Sequence, residues 1–184
     1  MTKRDDPREH MLLEAIAELE GPALPRPAAR QRLLAAIASP ARRLAPLYGA
    51  LGQLFDWGDA ELAELFIRAE EPSAWEASQV QGVSLLHVSG GPRVAGADNG
   101  LVRLAPCTTF PLHRHLGLER VLVLSGGYRD DQSGRPYRAG DWHEMTVGSS
   151  HSYTTMAEIE TWLAVSVFEG VHVDGLGTLS HGHE

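Results

Sequence analysis

Between residues 73 and 175 the chain consists of short apolar runs separated by turns that contain Gly, Pro, Asp or Ser. Many short strands with such turns between them are typical of an antiparallel sandwich or a small barrel. The pattern therefore predicts a mainly β domain over residues 73–175, followed by a flexible tail at 176–184. The predicted strands are Val83–Val88, Gly100–Leu104, Leu118–Leu124, Trp142–Val147 and Trp162–Phe168.

Residues 1–72 have a different composition, rich in Ala, Leu, Arg and Glu, and their apolar residues recur at helical spacing. One helix is expected from about residue 46, and another begins near Asp59, whose carboxylate can cap it. Glu70-Glu71-Pro72 ends this part, so we predict a small α-helical N-terminal region over residues 1–72. The residues expected to face its core are Leu47, Leu51, Leu54, Phe55, Leu62, Leu65, Phe66 and Ala69.

The charge and the apolar runs exclude several kinds of partner. The chain has 16 Lys and Arg against 24 Asp and Glu, which gives a formal charge of −8. An acidic chain is a poor match for nucleic acid, so no nucleic-acid partner is expected. No apolar run approaches the ~18 residues of a membrane span. The amino terminus also lacks the apolar segment of a secretion signal. We expect a cytoplasmic protein with no membrane partner.

The stretch His113-Arg-His-Leu-Gly-Leu-Glu119 carries the clearest chemical signal. On a single strand, His113, His115 and Glu119 would share one face, because side chains alternate along a strand. His151 follows later, after a turn that contains Gly148. Three imidazoles and one carboxylate are suitable ligands for Zn, Fe, Mn or Ni. Each histidine taken alone is more often a surface or satisfied core residue.

The same stretch resembles the first sequence motif of the cupin superfamily. That motif reads H-x-H, three residues, Glu, six residues, Gly, and His113, His115, Glu119 and Gly126 stand at those intervals. Cys107 occupies the position at which the motif opens with Gly.

A second cupin motif reads Gly, five residues, Pro-x-Gly, two residues, His, three residues, Asn. Gly140, Gly148 and His151 are in register with it, while Thr146 replaces the Pro and Thr155 replaces the Asn. The resemblance implies a cupin jelly roll, also called a double-stranded β-helix. It also implies one divalent metal ion held by His113, His115, Glu119 and His151.

A narrower resemblance covers Thr109–Gly126, Asp130-Asp131, Gly134, Tyr137 and Ala139–Asp141, which are similar to the cupin domain of ChrR-type anti-sigma factors. In that family a helical N-terminal domain binds an extracytoplasmic-function sigma factor. The cupin domain of the family binds zinc and takes part in stress sensing. The order of a helical part and a β part in this chain fits that plan.

One feature of the family is absent from the chain. The family's helical domain builds its own zinc site from His and a His-x-x-x-Cys-x-x-Cys motif. Residues 1–106 of this chain contain no Cys and only His10 and His87. The resemblance therefore implies zinc in the cupin part alone.

Two functions remain open at this point. The resemblance favours a zinc-binding regulator that contacts a sigma factor or another regulatory protein, because four protein ligands close the coordination of zinc. The alternative is an Fe, Mn or Ni cupin enzyme, such as a dioxygenase, with an open coordination position. Exposed sheet edges also favour a homodimer.

Several other residues have features that could indicate a role. Phe110 and Tyr153 are candidates for lining a pocket. We expect Cys107 to be a small buried side chain at a turn, and Arg129, Asp130 and Asp131 to form a solvated hairpin tip. His181 and His183 have H-x-H spacing but fall in the predicted tail.

Overall fold

The computed structural model describes residues 27–180, apart from the side chains of residues 35–38. Its contacts divide the chain into two compact units, residues 1–38 and residues 39–184. In the first unit the described part is one helix, α1 (Pro27–Ala38). No helix among the described residues is long and apolar enough to cross a membrane.

The second unit begins with three helices, α2 (Pro40–Leu44), α3 (Tyr48–Phe55) and α4 (Asp59–Arg68). Asp56 has a left-handed φ of 56°, which ends α3 and turns the chain toward α4. In α4, acidic residues occupy the first turn and Arg68 the last, which complements the helix dipole.

The apolar faces of these helices are buried as the spacing predicts. Leu47 is only half-buried. The other predicted core residues all have relative exposures of 4% or less: Leu51, Leu54, Phe55, Leu62, Leu65, Phe66 and Ala69.

The described strands form two antiparallel sheets of six strands each. Sheet A has the order β1-β2-β3-β10-β5-β8, and sheet B has the order β12-β11-β4-β9-β6-β7. The strands are β1 (Glu76–Ala77), β2 (Val83–Val88), β3 (Ala97–Leu104), β4 (Thr109–His115), β5 (Glu119–Ser125), β6 (Gly127–Asp130), β7 (Pro136–Arg138), β8 (Trp142–Met145), β9 (Ser150–Thr155), β10 (Thr161–Phe168), β11 (Val171–Val173) and β12 (Gly177–Leu179).

The two faces of sheet A take part in different cores. Its inner face packs against sheet B, where Val123 and Leu163 of sheet A meet Tyr128 and Tyr153. Its outer face packs against the helices in a second cluster. The members of that cluster include Leu51, Phe55, Leu62, Phe66, Leu86, Leu101, Leu122 and Ala164. The predicted mainly β sandwich with helices before it is confirmed.

The strand boundaries differ from the prediction in several places. The five predicted strands correspond to β2, β3, β5, β8 and β10. The prediction omits the short strands β1, β6, β7, β11 and β12, because runs of two to four residues carry little periodic signal, and it also omits the six-residue β9. Gly177–Leu179, within the predicted tail, pair with β11. The division at residue 72 stays a prediction.

Cys107 is not the buried side chain that the sequence suggested. It is exposed, in the turn between β3 and β4, and its φ is 56°. The left-handed conformation is costly for residues other than Gly, Asn and Asp. The turn therefore requires the conformation that Gly, the residue of the cupin motif, adopts most easily.

Candidate metal centre

Three histidines and one glutamate converge at one end of the sandwich. His113 and His115 lie on β4, and His151 lies on the neighbouring strand β9, opposite His113 in the register. Glu119 is the first residue of β5, in the other sheet. Each residue offers a ligand atom, and these atoms all lie within 4.8 Å of one another. The structure thus brings all four predicted ligands together.

The expectation that residues 113–119 form one strand is wrong. β4 ends at His115, and β5 begins only at Glu119. The intervening turn is held against Phe168–Gly170: the Leu116 N–H donates to the Gly170 carbonyl at 3.1 Å. A Cβ on Gly117 would lie 2.3 Å from the Phe168 carbonyl oxygen, so only Gly fits there. Glu119 reaches the histidines from the facing sheet.

The cluster is buried. His113, His115 and His151 are 3%, 0% and 4% exposed, and the Glu119 side chain is 13% exposed. The imidazole rings of His113 and His151 have centroids 4.5 Å apart. So many ionisable groups in a small buried volume are unusual unless a cation or hydrogen bonds compensate them.

Each imidazole has its Nδ1 atom committed to an oxygen acceptor. His113 Nδ1 donates to the Pro111 carbonyl at 2.9 Å, and His115 Nδ1 donates to the Ser149 carbonyl at 3.1 Å. His151 Nδ1 donates to Asp130 Oδ2 at 2.7 Å. Because these acceptors require a proton on Nδ1, the neutral rings keep an unprotonated Nε2. Metal-binding histidines are oriented in this way.

The contact between His115 and Glu119 also fits a cation. His115 Nε2 and Glu119 Oε2 are 2.6 Å apart. Nevertheless, this buried nitrogen has no hydrogen-bond partner of acceptable geometry. Two atoms that approach closely without hydrogen-bond alignment are arranged as two ligands of a third atom would be. The donor set of three imidazoles and one carboxylate is one that zinc accepts.

Burial determines the protonation of the cluster. It lowers the pKa of His113 to about 4, helped by the neighbouring His151, so this ring is neutral at pH 7. Burial alone would raise the pKa of Glu119, but the contact with His115 and the nearby histidines lower it. At neutral pH the cluster therefore contains a carboxylate and at least one neutral imidazole.

A cavity of about 280 Å³ adjoins the cluster. His113, Glu119 and His151 lie on its wall, and so do the candidates Phe110 and Tyr153. Burial, reinforced by the Glu119 charge, raises the pKa of the Tyr153 hydroxyl, which therefore keeps its proton. Phe110 reaches this wall because an irregularity in the β4–β9 pairing separates it from His113.

The family of the chain is identified by a match to a sequence profile that begins within α4 and ends just after β10. Residues 64–169 match the profile of the ChrR cupin-like domain, over more than half of the chain. The chain belongs to the ChrR cupin-like domain family. No curated protein matches this ChrR-like chain at a significant level.

Several solved structures are similar to this chain. One is the crystal structure of Rhodobacter sphaeroides SigE in complex with the anti-sigma ChrR. Its matched chain is 21% identical to this chain, with a TM-score of 0.50, and the match covers 87% of this chain and 75% of that chain. An acetylacetone dioxygenase from Acinetobacter johnsonii is 14% identical, with a TM-score of 0.49, over 61% of this chain and 81% of that chain. A cupin-like protein from Ralstonia eutropha is 24% identical, with a TM-score of 0.46, over 54% of this chain and 64% of that chain.

The prediction that Arg129, Asp130 and Asp131 form a solvated hairpin tip is wrong for Asp130 of this ChrR-like chain. Asp131 is exposed, but Asp130 is only 4% exposed and bonds His151. Its other carboxylate oxygen accepts hydrogen bonds from the Ser133 N–H at 2.7 Å and from Ser133 Oγ. Burial alone would raise the pKa of Asp130, but the bonds from Ser133 and His151 hold it at about 2. Asp130 is thus an ionised acceptor behind His151.

His143 is a second residue near the centre to which the sequence assigned no role. Its ring stacks on Tyr137 with centroids 4.1 Å apart, and its Nδ1 is hydrogen-bonded to the Tyr128 hydroxyl at 2.9 Å. Asp130, His143 and His151 also offer ligand atoms within 4.8 Å of one another, so this group shares His151 with the cluster. His181 and His183 lie outside the described residues.

Substitution of Asp130 with asparagine is expected to weaken metal binding by about 10- to 100-fold, because the negative charge behind His151 is lost. The affinity is measured by competition with a chromophoric chelator. Asp131→Asn is the matched control, since its carboxylate accepts a bond from Ser152 Oγ at 2.8 Å but does not contact the cluster. Equal affinities of the two variants would contradict the role of Asp130.

Proposed function

We propose that this chain is a zinc-binding regulatory protein of the ChrR type that acts through contact with a sigma factor. The convergence of His113, His115, Glu119 and His151 is the observation that supports the metal site. When bound, zinc supplies a fixed positive charge between the two sheets. Glu119 balances part of that charge, and the Nδ1 hydrogen bonds hold the three rings in place.

The regulatory part of the proposal is supported by the family and by the arrangement of the helices. The structural likeness to the ChrR complex with SigE extends over 87% of this chain, well beyond the β part. In the second unit, α3 and α4 pack directly on the outer face of sheet A. The partner, the cytoplasmic location and the homodimer stay predictions.

A metal-dependent cupin enzyme, with Fe, Mn or Ni, is the second candidate. The cavity beside the cluster is the observation that favours it, because a small molecule there would lie next to the metal. Metal identity and partner binding separate the two candidates.

Untagged chain purified without chelators is expected to contain about one zinc ion per chain by elemental analysis. The chain is also expected to co-purify with a sigma factor from the lysate of its host. A chain that elutes alone under all stress conditions would contradict the regulatory role. Stoichiometric iron, manganese or nickel, together with oxygen consumption on candidate diketones or flavonols, would favour the enzyme.

A further inference from the structure

The cavity beside the cluster contains a second pair of ionisable side chains, apart from the candidate metal ligands. His87 on β2 and Asp98 on β3 both line it, and His87 Nδ1 donates to Asp98 Oδ1 at 2.9 Å. The two side chains are only 20% and 18% exposed. An imidazole paired with a carboxylate offers both donor and acceptor atoms to a hydroxyl group. The pair is therefore a polar anchor on the cavity wall.

Strand alternation places this pair on the inner face of sheet A. His87 lies two residues after Leu85, and Asp98 lies four residues before Val102. Leu85 and Val102 both pack in the core between the two sheets. Because side chains alternate along a strand, His87 and Asp98 share that face. Gly100, opposite His87 in the register, places no side chain over the imidazole.

The register also gives the separation between the pair and the metal cluster. Val167 of β10 is paired with Asp98 on one side and with Glu119 on the other. Neighbouring strands lie about 4.8 Å apart, so the backbones of Asp98 and Glu119 are roughly 10 Å apart. The side chains of Val165 and Val167 line the cavity between them. The cavity thus has a polar group at each end and an apolar middle.

The charges at the metal end cancel. A divalent cation is balanced by the carboxylates of Glu119 and Asp130, because metal-bound imidazoles are neutral. The remaining polar side chains of the lining, other than the tyrosines, carry no charge: Ser78, Gln79, Thr178 and Ser180. This end of the cavity therefore has no excess positive charge with which to select an anion.

The charges at the other end disfavour an anion. With Asp98 ionised, the pair has a net charge of zero or −1, depending on the proton of His87. Two further charges act on His87, the negative Glu76 and the positive Arg68, and neither residue lines the cavity. A carboxylate placed at this end would lie next to the Asp98 carboxylate. A hydroxyl group is hydrogen-bonded there without that repulsion.

We propose that the cavity binds an uncharged small molecule with a hydroxyl group at each end, and that the His87–Asp98 pair holds one of these hydroxyls. The other end lies beside the metal cluster, and the aliphatic middle packs against Val165 and Val167. This inference rests on the proposed metal site and assigns a class of ligand to the cavity beside it. In a regulatory protein, such a ligand is a signal to which the centre responds.

The probes are three six-carbon chains, titrated calorimetrically into the metal-loaded chain: the hexanediol with a hydroxyl at each end, hexanol with one hydroxyl, and adipate with a carboxylate at each end. The diol is expected to bind about tenfold more tightly than hexanol, because hexanol leaves one polar end of the cavity unpaired. Adipate is expected to bind at least tenfold more weakly than the diol, because one carboxylate meets Asp98.

Two variants test the pair through ratios of affinities, which a general loss of stability does not change. His87→Phe keeps a ring but removes both nitrogens, and it is expected to make the diol bind no better than hexanol. Asp98→Asn keeps the shape and removes the charge, and it is expected to raise the affinity for adipate relative to the diol by at least tenfold.

His172→Phe and Asp174→Asn are the matched controls. His172 Nε2 and Asp174 Oδ1 form an exposed pair 3.8 Å apart, and neither residue lines the cavity. Both controls are expected to keep the ratios of the unmodified chain. If the purified chain holds no metal, both the proposed function and this inference fail. If it holds metal but does not bind the diol, or if His87→Phe keeps the preference for the diol, this inference alone is overturned.

Discussion

Replacement of His113 with alanine is expected to abolish metal binding and to lower the melting temperature of the metal-loaded chain by about 10 °C. A ligand present at a thousand times its dissociation constant stabilises the folded state by about 4 kcal/mol. For a chain of this size, each kcal/mol corresponds to roughly 2–4 °C. The loss of the metal therefore has a large effect on stability.

The physical reason is the buried charge that remains. His113 is 3% exposed and lies between Phe110 and the other two histidines of the cluster. Without the cation, the Glu119 carboxylate lies in the sandwich with less compensation for its charge. Treatment of the unmodified chain with a chelator is expected to lower the melting temperature in the same direction.

His172→Ala is the matched control for this variant. His172 lies on β11, which pairs with β4, but its side chain is 47% exposed and outside the cluster. Metal content is measured by elemental analysis and melting by calorimetry. An unchanged metal content and melting temperature in His113→Ala would show that no metal is held by these four residues.

Substitution of Phe55 with alanine is expected to lower the free energy of unfolding by about 3–5 kcal/mol. Phe55 is fully buried at the end of α3, and it belongs to the cluster that includes Leu122 of β5 and Ala164 of β10. Its carbonyl also accepts a hydrogen bond from the Gly91 N–H at 2.7 Å. The cavity left by the ring therefore lies between the helices and sheet A.

This variant also tests the predicted division at residue 72. If the helices and the sheets unfold together, tryptophan fluorescence and far-UV circular dichroism will show one coincident transition at a lower denaturant concentration. Ile67→Ala, at a position on α4 that is 63% exposed, is expected to change stability by no more than about 0.5 kcal/mol. Separate transitions, with the sheet signal unmoved, would support an independent helical domain.

Much of the fold follows from local patterns in the chain. The helical spacing of Leu51, Phe55, Leu62 and Phe66 identifies the buried face, because burial of one stripe requires that period. Several longer strands are recognised from their apolar runs, as β2 illustrates, although the six-residue β9 is not among the predicted strands. The spacing of the two motifs identifies the four cluster residues, which the structure brings together. The prediction of a single strand from His115 to Glu119 is nevertheless wrong, because β4 ends at His115.

The remaining features depend on pairing between distant segments. Asp130 is buried because β6 pairs with β9, which places Asp130 opposite Tyr153 and next to His151. Nothing in the local sequence separates it from the exposed Asp131, although both belong to the stretch that is similar to ChrR-type proteins. His143 stacks on Tyr137, is hydrogen-bonded to the Tyr128 hydroxyl, and lies edge-on to His151 with ring centroids 5.4 Å apart. Such roles depend on tertiary contacts, which the periodicity of the local sequence does not predict.

Strand β5, like β2, β3 and β10, contributes side chains to both faces of sheet A. Glu119, Val121 and Val123 point toward the space between the sheets, whereas Leu122 and Leu124 support the helices on the other side. The seven residues of this strand therefore connect Glu119, a candidate metal ligand, with the side chains that lie under the helices. A shift of β5 along its own direction would move Glu119 and the leucines under the helices at the same time.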